Sequence, residues 1–280
     1  MKIDSTTKVF GLIGHPVKHS LSPLIHNSSF EKLNFNGVYV VFDVAPELLE
    51  NAVKGLKALG IKGFNVTVPH KESVMNYLDF VTEEAEKIGA VNTVVNENGI
   101  LKGYNTDVQG FIDSLKELKE DVRGRKAFVL GAGGASKAIC FALAREGVES
   151  IVIANRTLNK ARALAEYIRE EFKVKCDYCS IEEVEKFNEI DILINTTSVG
   201  MHPEVGNSPV SEEVVAKANF VYDLIYNPSE TLFLKYARKN GVKSANGLSM
   251  LVNQASYAFY LWTGEFFDKD FVYEKIRGEM

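Results

Sequence analysis

The chain has 280 residues, 46% of them hydrophobic and 25% charged, with a formal net charge of -5. That is material for about two packed domains of ordinary globular composition. A net negative chain without a long basic run does not fit a nucleic-acid or anionic-membrane surface, and no apolar stretch approaches the roughly 20 residues of a membrane span.

Residues 1–8 are polar and lack the apolar core of a secretion signal, so a cytoplasmic location is expected. Residues 9–14 read as a first strand. They run into His15-Pro16-Val17-Lys18-His19-Ser20-Leu21-Ser22-Pro23. Ser followed by Pro is a helix start, with Ser22 at the N-cap and Pro23 at the first helical position. Leu24, Ile25 and Leu33 give that helix an apolar side, and residues 34–37 end it. Capping accounts for Ser22 but not for Ser20. Two hydroxyls at the positive end of a helix can hold a carboxylate without an arginine.

Residues 38–44 form a second strand. Residues 46–59 read as an amphipathic helix carrying Leu48, Leu49, Ala52, Val53 and Leu56, stopped by Gly60. Residues 63–68 are a third strand, ended by Pro69. Side chains alternate along a strand, which puts Asn65 and Thr67 on one face. A half-exposed sheet surface would account for them, and so would a ligand. Pro69-His70-Lys71-Glu72 then opens a short helix. Another helix over 82–88 has an acidic first turn; residues 90–95, including Asn92, are a strand that turns at Glu97-Asn98-Gly99 into its partner, 100–105. Asn105-Thr106-Asp107 starts a helix with Val108, Phe111, Ile112, Leu115 and Leu118 on its apolar face, and capping is the plain explanation of Asp107. The charged run 119–125 reads as a crossing between domains.

Residues 127–130 are a short apolar run the size of a buried strand, broken at once by Gly131, Gly133 and Gly134. Residues 135–145 then read as a helix with Ile139 and Leu143 inward. Strand, glycine-rich turn and helix is the setting in which a backbone approaches a pyrophosphate and the helix N-terminus supplies free N–H groups. The G-x-G-x-x-G/A pattern is imperfect because Ser136 holds its last position, and a tight turn without a ligand is the plain alternative. Residues 150–154 form the next strand and end in Asn155-Arg156-Thr157, where this arrangement meets the adenosine ribose. A carboxylate there would repel a 2′-phosphate and a guanidinium would bind it, so Arg156 argues for NADP.

A helix over 158–172 turns Ala161, Leu164, Ala165 and Ile168 inward. Cys176 and Cys179 have redox or metal spacing, but no second Cys or His pair follows, so reduced thiols and no metal are expected. Residues 190–194 are a strand leading into the polar turn 195–201, at the end of an open sheet where ligands bind. A strand over 220–225 precedes Tyr226-Asn227-Pro228, and a helix over 231–240 is closed by Gly241. Asn246-Gly247-Leu248-Ser249 opens a long helix whose apolar face holds Met250, Leu251, Ala255, Ala258, Phe259 and Trp262, interrupted by Gln254. A buried Gln needs a partner. Residues 269–277 make a last short helix.

Together these stretches resemble the shikimate dehydrogenase family over nearly the whole chain. The resemblance rests on His19-Ser-Leu-Ser-Pro23, Asn65-Val-Thr-Val-Pro-His-Lys71, Ala90-Val-Asn-Thr93, Asn105-Thr-Asp107, Gly131-Ala-Gly-Gly-Ala-Ser136, Asn155-Arg-Thr157, Asp223-Leu-Ile-Tyr-Asn-Pro228 and Gly247-Leu-Ser-Met-Leu251, in this order. It implies a two-domain α/β fold: an N-terminal α/β substrate domain, residues 1–107 completed by 247–280, and a Rossmann-type NADP-binding domain, 108–246, with the active site in the cleft between them. The implied reaction is the reversible NADPH-dependent reduction of 3-dehydroshikimate to shikimate, on the route to chorismate and the aromatic amino acids. Lys71 and Asp107 would be the catalytic pair. Ser20 and Ser22 would hold the substrate carboxylate, Asn65, Thr67, Asn92, Asp107 and Gln254 the ring hydroxyls, and Tyr226 would line the pocket. The cofactor would rest on Gly131, Ala132, Gly133, Gly134 and Ala135, on Asn155, Arg156 and Thr157, on Thr196, Ser198 and Met201, and on Gly247 and Met250. Ser249 departs from the glycine that many relatives carry there.

Two other readings stay open. One is a quinate/shikimate dehydrogenase working with NAD, against which Arg156 and the Ser20/Ser22 pair speak. The other is an NADP-binding regulatory protein, in which a degraded site would be expected; Lys71 and Asp107 are both present. The expected partner is a small-molecule substrate, bound by a monomer or homodimer.

Overall fold

The computed structural model describes residues 3–18 and 20–279; His19 of the first motif lies outside the described residues. The elements run β1 (Lys8–Gly14), α1 (Ser22–Lys32), β2 (Gly37–Asp43), α2 (Leu49–Ala58), β3 (Gly63–Val66), β4 (Phe80–Val81), α3 (Glu83–Ile88), β5 (Thr93–Glu97), β6 (Ile100–Tyr104), α4 (Asp107–Glu117), β7 (Lys126–Leu130) and α5 (Gly134–Arg145). Then follow β8 (Ser150–Ala154), α6 (Leu158–Phe172), β9 (Lys175–Cys179), β10 (Ile190–Asn195), α7 (Glu212–Val215), β11 (Ala218–Asp223), α8 (Leu232–Lys239), β12 (Lys243–Ala245), α9 (Leu248–Thr263) and α10 (Lys269–Glu279). Two compact units emerge, Met1–Gly110 with Val252–Met280, and Phe111–Leu251.

The first unit is built on a six-stranded sheet ordered β2-β1-β3-β5-β6-β4. β1 pairs in parallel with β2 and β3, and β5 runs antiparallel to β3 and β6. Alternation sorts its two faces. Ile13, Phe64, Val66 and Val94 join Leu49, Val53 and Leu56 of α2 in one core cluster. The opposite face is aromatic: Phe10 packs against Phe30 of α1 and Trp262 of α9 at ring separations of 5.2 Å. Gly63 lies on that face because a Cβ there would come within 2.1 Å of the Trp262 ring nitrogen.

The second unit is an all-parallel sheet ordered β12-β11-β10-β7-β8-β9. Counting within the unit, this is the strand order of the doubly wound dinucleotide fold, with its switch point between β7 and β10. Strands buried on both faces need apolar side chains throughout, and Phe128, Leu130, Leu193 and Val221 fill one core cluster with Val214 of α7 and Phe233 of α8.

Several local expectations are corrected. α1 begins at Ser22 with Leu21 at the N-cap, and no side chain caps it. Its inward residues are Ile25, His26, Ser29 and Phe30, whereas Leu33 is exposed. Pro46–Leu48 is a 3-10 turn ahead of α2, and Leu48 and Leu59 stay outside. β3 stops at Val66, so Thr67 lies just past the strand, its N–H still donating to the Ile13 carbonyl at 2.9 Å. The turn after Lys71 is 3-10, Ser73–Tyr77. β9, α7 and β12 carry too little pattern to be read from sequence: β9 is mostly polar, and the other two are short. Cys176 and Cys179 lie along β9, where residues three apart point to opposite faces. Burial pushes their thiols up to about 12 and about 11.

Candidate active site

In the first unit the chain leaves β3 through Thr67 and Pro69 and is pinned at the next two residues. The buried His70 ring bonds the Val44 carbonyl through Nε2 at 2.7 Å, and the Lys71 carbonyl accepts the Val91 N–H at 2.8 Å. This aims the Lys71 side chain at Asp107, the first residue of α4. Nζ lies 2.5 Å from Asp107 Oδ2, with the two side chains 15% and 6% exposed. Asn92 Nδ2 donates to the other carboxylate oxygen at 2.8 Å. Asp107 is therefore no cap. The Asn105 side chain accepts its N–H at 3.0 Å, and the carboxylate is free to hold Lys71. An ammonium has three hydrogens. Only Asp107 takes one among the described residues, which leaves two for a ligand oxygen.

Around this pair the remaining polar residues form one network. Asn92 Oδ1 accepts the Thr106 N–H at 2.8 Å, and Asn92 Nδ2 reaches Gln254 Oε1 at 3.4 Å, as does the Thr106 hydroxyl. Gln254 gets this close because Gly110 of α4 has no side chain: a Cβ there would sit 2.7 Å from that of Gln254. Asn65 is 6% exposed and joins the network through Thr93. Gly14 has the same sort of role for Thr67. A Cβ on Gly14 would meet Thr67 Cγ2 at 2.3 Å and Val17 Cγ1 at 2.7 Å, so Thr67 and the Ser20 loop both lean on that bare backbone.

Ser20 and Ser22 sit at the start of α1. Ser20 Oγ accepts the Ser22 N–H at 3.2 Å and donates to Ser22 Oγ at 3.1 Å. Ser20 thus satisfies the first N–H of α1 from outside the helix, and the Ser22 hydroxyl hydrogen takes no acceptor among the described residues. Among the described residues no hydrogen bond joins this pair to Lys71 or Asp107.

The second unit carries the other group. Gly131 has φ +116, a conformation that favours glycine, and a Cβ there would collide with Thr196 Oγ1 at 2.6 Å. Ser136 is buried and useful: it accepts the Gly133 N–H at 3.2 Å and bonds Thr196 Oγ1 at 2.6 Å, while Thr196 donates to the Leu130 carbonyl at 2.7 Å. Ser136 and Thr196 therefore brace the loop from inside. A Cβ on Gly133 would meet nothing within 4 Å among the described residues, so there is open space beside the backbone that leads into α5. That open cradle over a helix N-terminus fits a pyrophosphate. Asn155 is half-buried and bonds the Thr157 carbonyl at 3.0 Å. Arg156 is exposed, makes no ion pair among the described residues, and stands at the start of α6, which fits a 2′-phosphate. Ser198 and Met201 are exposed in the turn after β10; Tyr226 is half-buried. Gly247 packs on the backbone of Leu224, whose carbonyl oxygen would lie 2.0 Å from a Cβ, and Met250 is buried. The Ser249 hydroxyl bonds the Glu117 carboxylate, which accommodates the departure at that position.

Two family models match the chain, the shikimate dehydrogenase substrate binding domain over residues 12–94 and shikimate / quinate 5-dehydrogenase over residues 113–227. The chain belongs to the shikimate dehydrogenase family. A curated shikimate dehydrogenase (NADP(+)) of Caldanaerobacter subterraneus subsp. tengcongensis is 99% identical over 280 residues, covering 100% of both chains. A solved shikimate dehydrogenase in complex with NADP+ is 43% identical with a TM-score of 0.92, covering 99% of this chain and 97% of its own. The Thermus thermophilus shikimate dehydrogenase solved with NADP(H) and shikimate is 38% identical with a TM-score of 0.85, covering 98% and 100%.

Sequence reading of this shikimate dehydrogenase fold missed the buried brace behind the 195–201 turn. Asn195 Nδ2 and the Thr231 hydroxyl both donate to Asp223, at 3.0 and 2.6 Å, while Asn195 Oδ1 accepts the Thr197 N–H and hydroxyl. Burial pushes the Asp223 carboxyl up to about 6, against those hydrogen bonds. Polar residues ending apolar strands were its only sequence signal.

Proposed function

We propose that this chain catalyses the reversible reduction of 3-dehydroshikimate to shikimate with NADPH, as a cytoplasmic step toward chorismate and the aromatic amino acids. The observation that carries the reading is the Lys71–Asp107 pair, 2.5 Å apart and fixed from behind by Asn92. Residues 1–107 with 247–280 are assigned to the substrate, and 108–246 to the dinucleotide.

When bound, the nicotinamide supplies a hydride to the ketone carbon. The two free hydrogens on Lys71 Nζ meet the carbonyl oxygen as negative charge grows there, and one proton passes to it. In the oxidising direction the same nitrogen takes the hydroxyl proton. Asp107 keeps Nζ aimed and balances its charge. Ser20, Ser22 and the first turn of α1 hold the substrate carboxylate. Asn65, Thr67, Asn92 and Gln254 take ring hydroxyls. Gly131 to Ala135 cradle the pyrophosphate, and Arg156 with Asn155 and Thr157 takes the adenosine 2′-phosphate.

Initial rates with shikimate and quinate, each with NADP+ and NAD+, test this reading. Fast turnover is expected only with shikimate and NADP+. Comparable rates with quinate or NAD+ point instead to the broader-specificity enzyme, and NADP+ binding without turnover to a regulatory protein.

A further inference from the structure

Behind Asn65, on the aromatic face of the first unit's sheet, lies a layer of groups that the mechanism does not use. Tyr39 of β2 is 2% exposed, and its hydroxyl donates to Asn65 Oδ1 at 2.8 Å. Asn65 Nδ2 donates to the Asn92 carbonyl at 3.2 Å and to Thr93 Oγ1 at 3.1 Å. A carboxamide offers two hydrogens and two lone pairs on its oxygen. Both hydrogens are spent inside the protein, and one lone pair is taken by Tyr39. Among the described residues the second lone pair of Oδ1 takes no hydrogen bond. A flipped amide would set Oδ1 against the Asn92 carbonyl and lose the phenolic donor.

The Tyr39 ring is itself clamped. It stacks on His26 with centroids 4.5 Å apart at 19°, and His26 in turn lies 5.2 Å from Trp262 and 6.1 Å from Phe259, parallel to the latter within 4°. Neither His26 ring nitrogen has a hydrogen-bond partner among the described residues. Full burial holds its pKa down to about 3, with Asn65 nearby pulling weakly the other way. His26 is thus a neutral flat plate against which Tyr39 rests.

We propose that Tyr39 is a positioning residue that fixes Asn65 as a hydrogen-bond acceptor toward the substrate, so that this point of the site selects a ring position carrying a hydroxyl over one without a donor. The proposal rests on the assignment of Asn65 to the substrate made above. Its specificity comes from an acceptor that is already committed in direction and cannot adapt to a carbonyl.

The test is steady-state kinetics with NADP+ and shikimate, and with two shikimate analogues each lacking one non-reacting ring hydroxyl. Tyr39→Phe keeps the ring and the stack. Its KM for shikimate is expected to rise about tenfold, the worth of one hydrogen bond, with kcat changed by less than roughly twofold. For the analogue lacking the hydroxyl that Asn65 reads, wild type and Tyr39→Phe are expected to share one KM. An equal rise for shikimate and both analogues, or no rise, overturns the proposal. Asn65→Ala, measured alongside, separates the two failures. If it raises the shikimate KM while Tyr39→Phe does not, the role of Tyr39 alone falls. If it too leaves KM unchanged, the assignment of Asn65 falls and takes the proposal with it. Should Tyr39→Phe not fold, nitrogen-15 spectra of the wild type decide. The Asn65 amide protons, assigned by their loss in Asn65→Asp, should exchange slowly and keep their shifts when shikimate binds. Fast exchange or large shifts overturn the proposal.

Discussion

Asn92 Nδ2 donates to Asp107 Oδ1 at 2.8 Å while Lys71 Nζ holds Oδ2 at 2.5 Å. The carboxylate is gripped on both oxygens and cannot rotate without losing one partner. Asn92→Ala removes one grip, leaves Lys71 and Asp107 in place, and frees the carboxylate to turn. A hydrogen bond to a charged group is worth about 1.5–3 kcal/mol, so kcat/KM for shikimate is expected to fall roughly 10- to 100-fold. Asn92→Asp, which sets a second carboxylate beside Asp107, should lose more. Steady-state kinetics check both, and an unchanged kcat/KM in Asn92→Ala would mean that Lys71 alone orients Asp107.

Arg156 is exposed at the start of α6 and makes no ion pair among the described residues. Arg156→Ala is expected to raise the KM for NADPH about tenfold or more, the range of a lost charge-assisted contact. The KM for NADH, which has no 2′-phosphate, should scarcely move. Equal changes for the two cofactors would refute the assignment.

His26 makes stability depend on pH. Unfolded, its imidazole takes up a proton near the ordinary value of 6.5; folded, only near 3. Between those values the unfolded chain binds more protons, so stability falls as pH falls. One bound proton of difference shifts the folding equilibrium about tenfold per pH unit. His26→Leu removes the group. Urea unfolding between pH 6 and 4 should therefore show the variant gaining on wild type as pH drops. A difference between the two proteins that stays constant across that range would contradict a neutral buried His26.

The dinucleotide unit was the more legible from sequence. Its strands are continuous apolar runs buried on both faces, and the Gly131 turn and the Asn155–Thr157 segment stand out by composition at the ends of β7 and β8. What failed there was β9 and β12, edge strands whose polar or brief sequences carry no periodic signal. The substrate unit was legible in residue types but not in pairings. Asp107 looks like a cap because it opens a helix, and its true partner Lys71 lies 36 residues away. Ser22 looked like the cap, yet the helix starts a residue earlier than the Ser-Pro pair suggests, with Leu21 at the N-cap and the Ser22 N–H taken by Ser20. Tyr39 and His26 gave no signal, because aromatic residues in a strand and a helix read as core. Only their place behind Asn65 gives them meaning.

The central claim is that Lys71 delivers the proton, and kcat and KM of Lys71→Ala with shikimate and NADP+ test it most directly. Removing one member of a buried pair leaves the other charge unpaired, which costs about 3–5 kcal/mol of stability. The double variant Lys71→Ala with Asp107→Asn removes that charge and controls for folding, which circular dichroism checks. Both variants are expected to fold and to lose kcat by on the order of 10²-fold or more, with the KM for shikimate little changed in Lys71→Ala. A folded Lys71→Ala enzyme that keeps its kcat and loses only KM would contradict the account, and would reduce Lys71 to a substrate-binding residue.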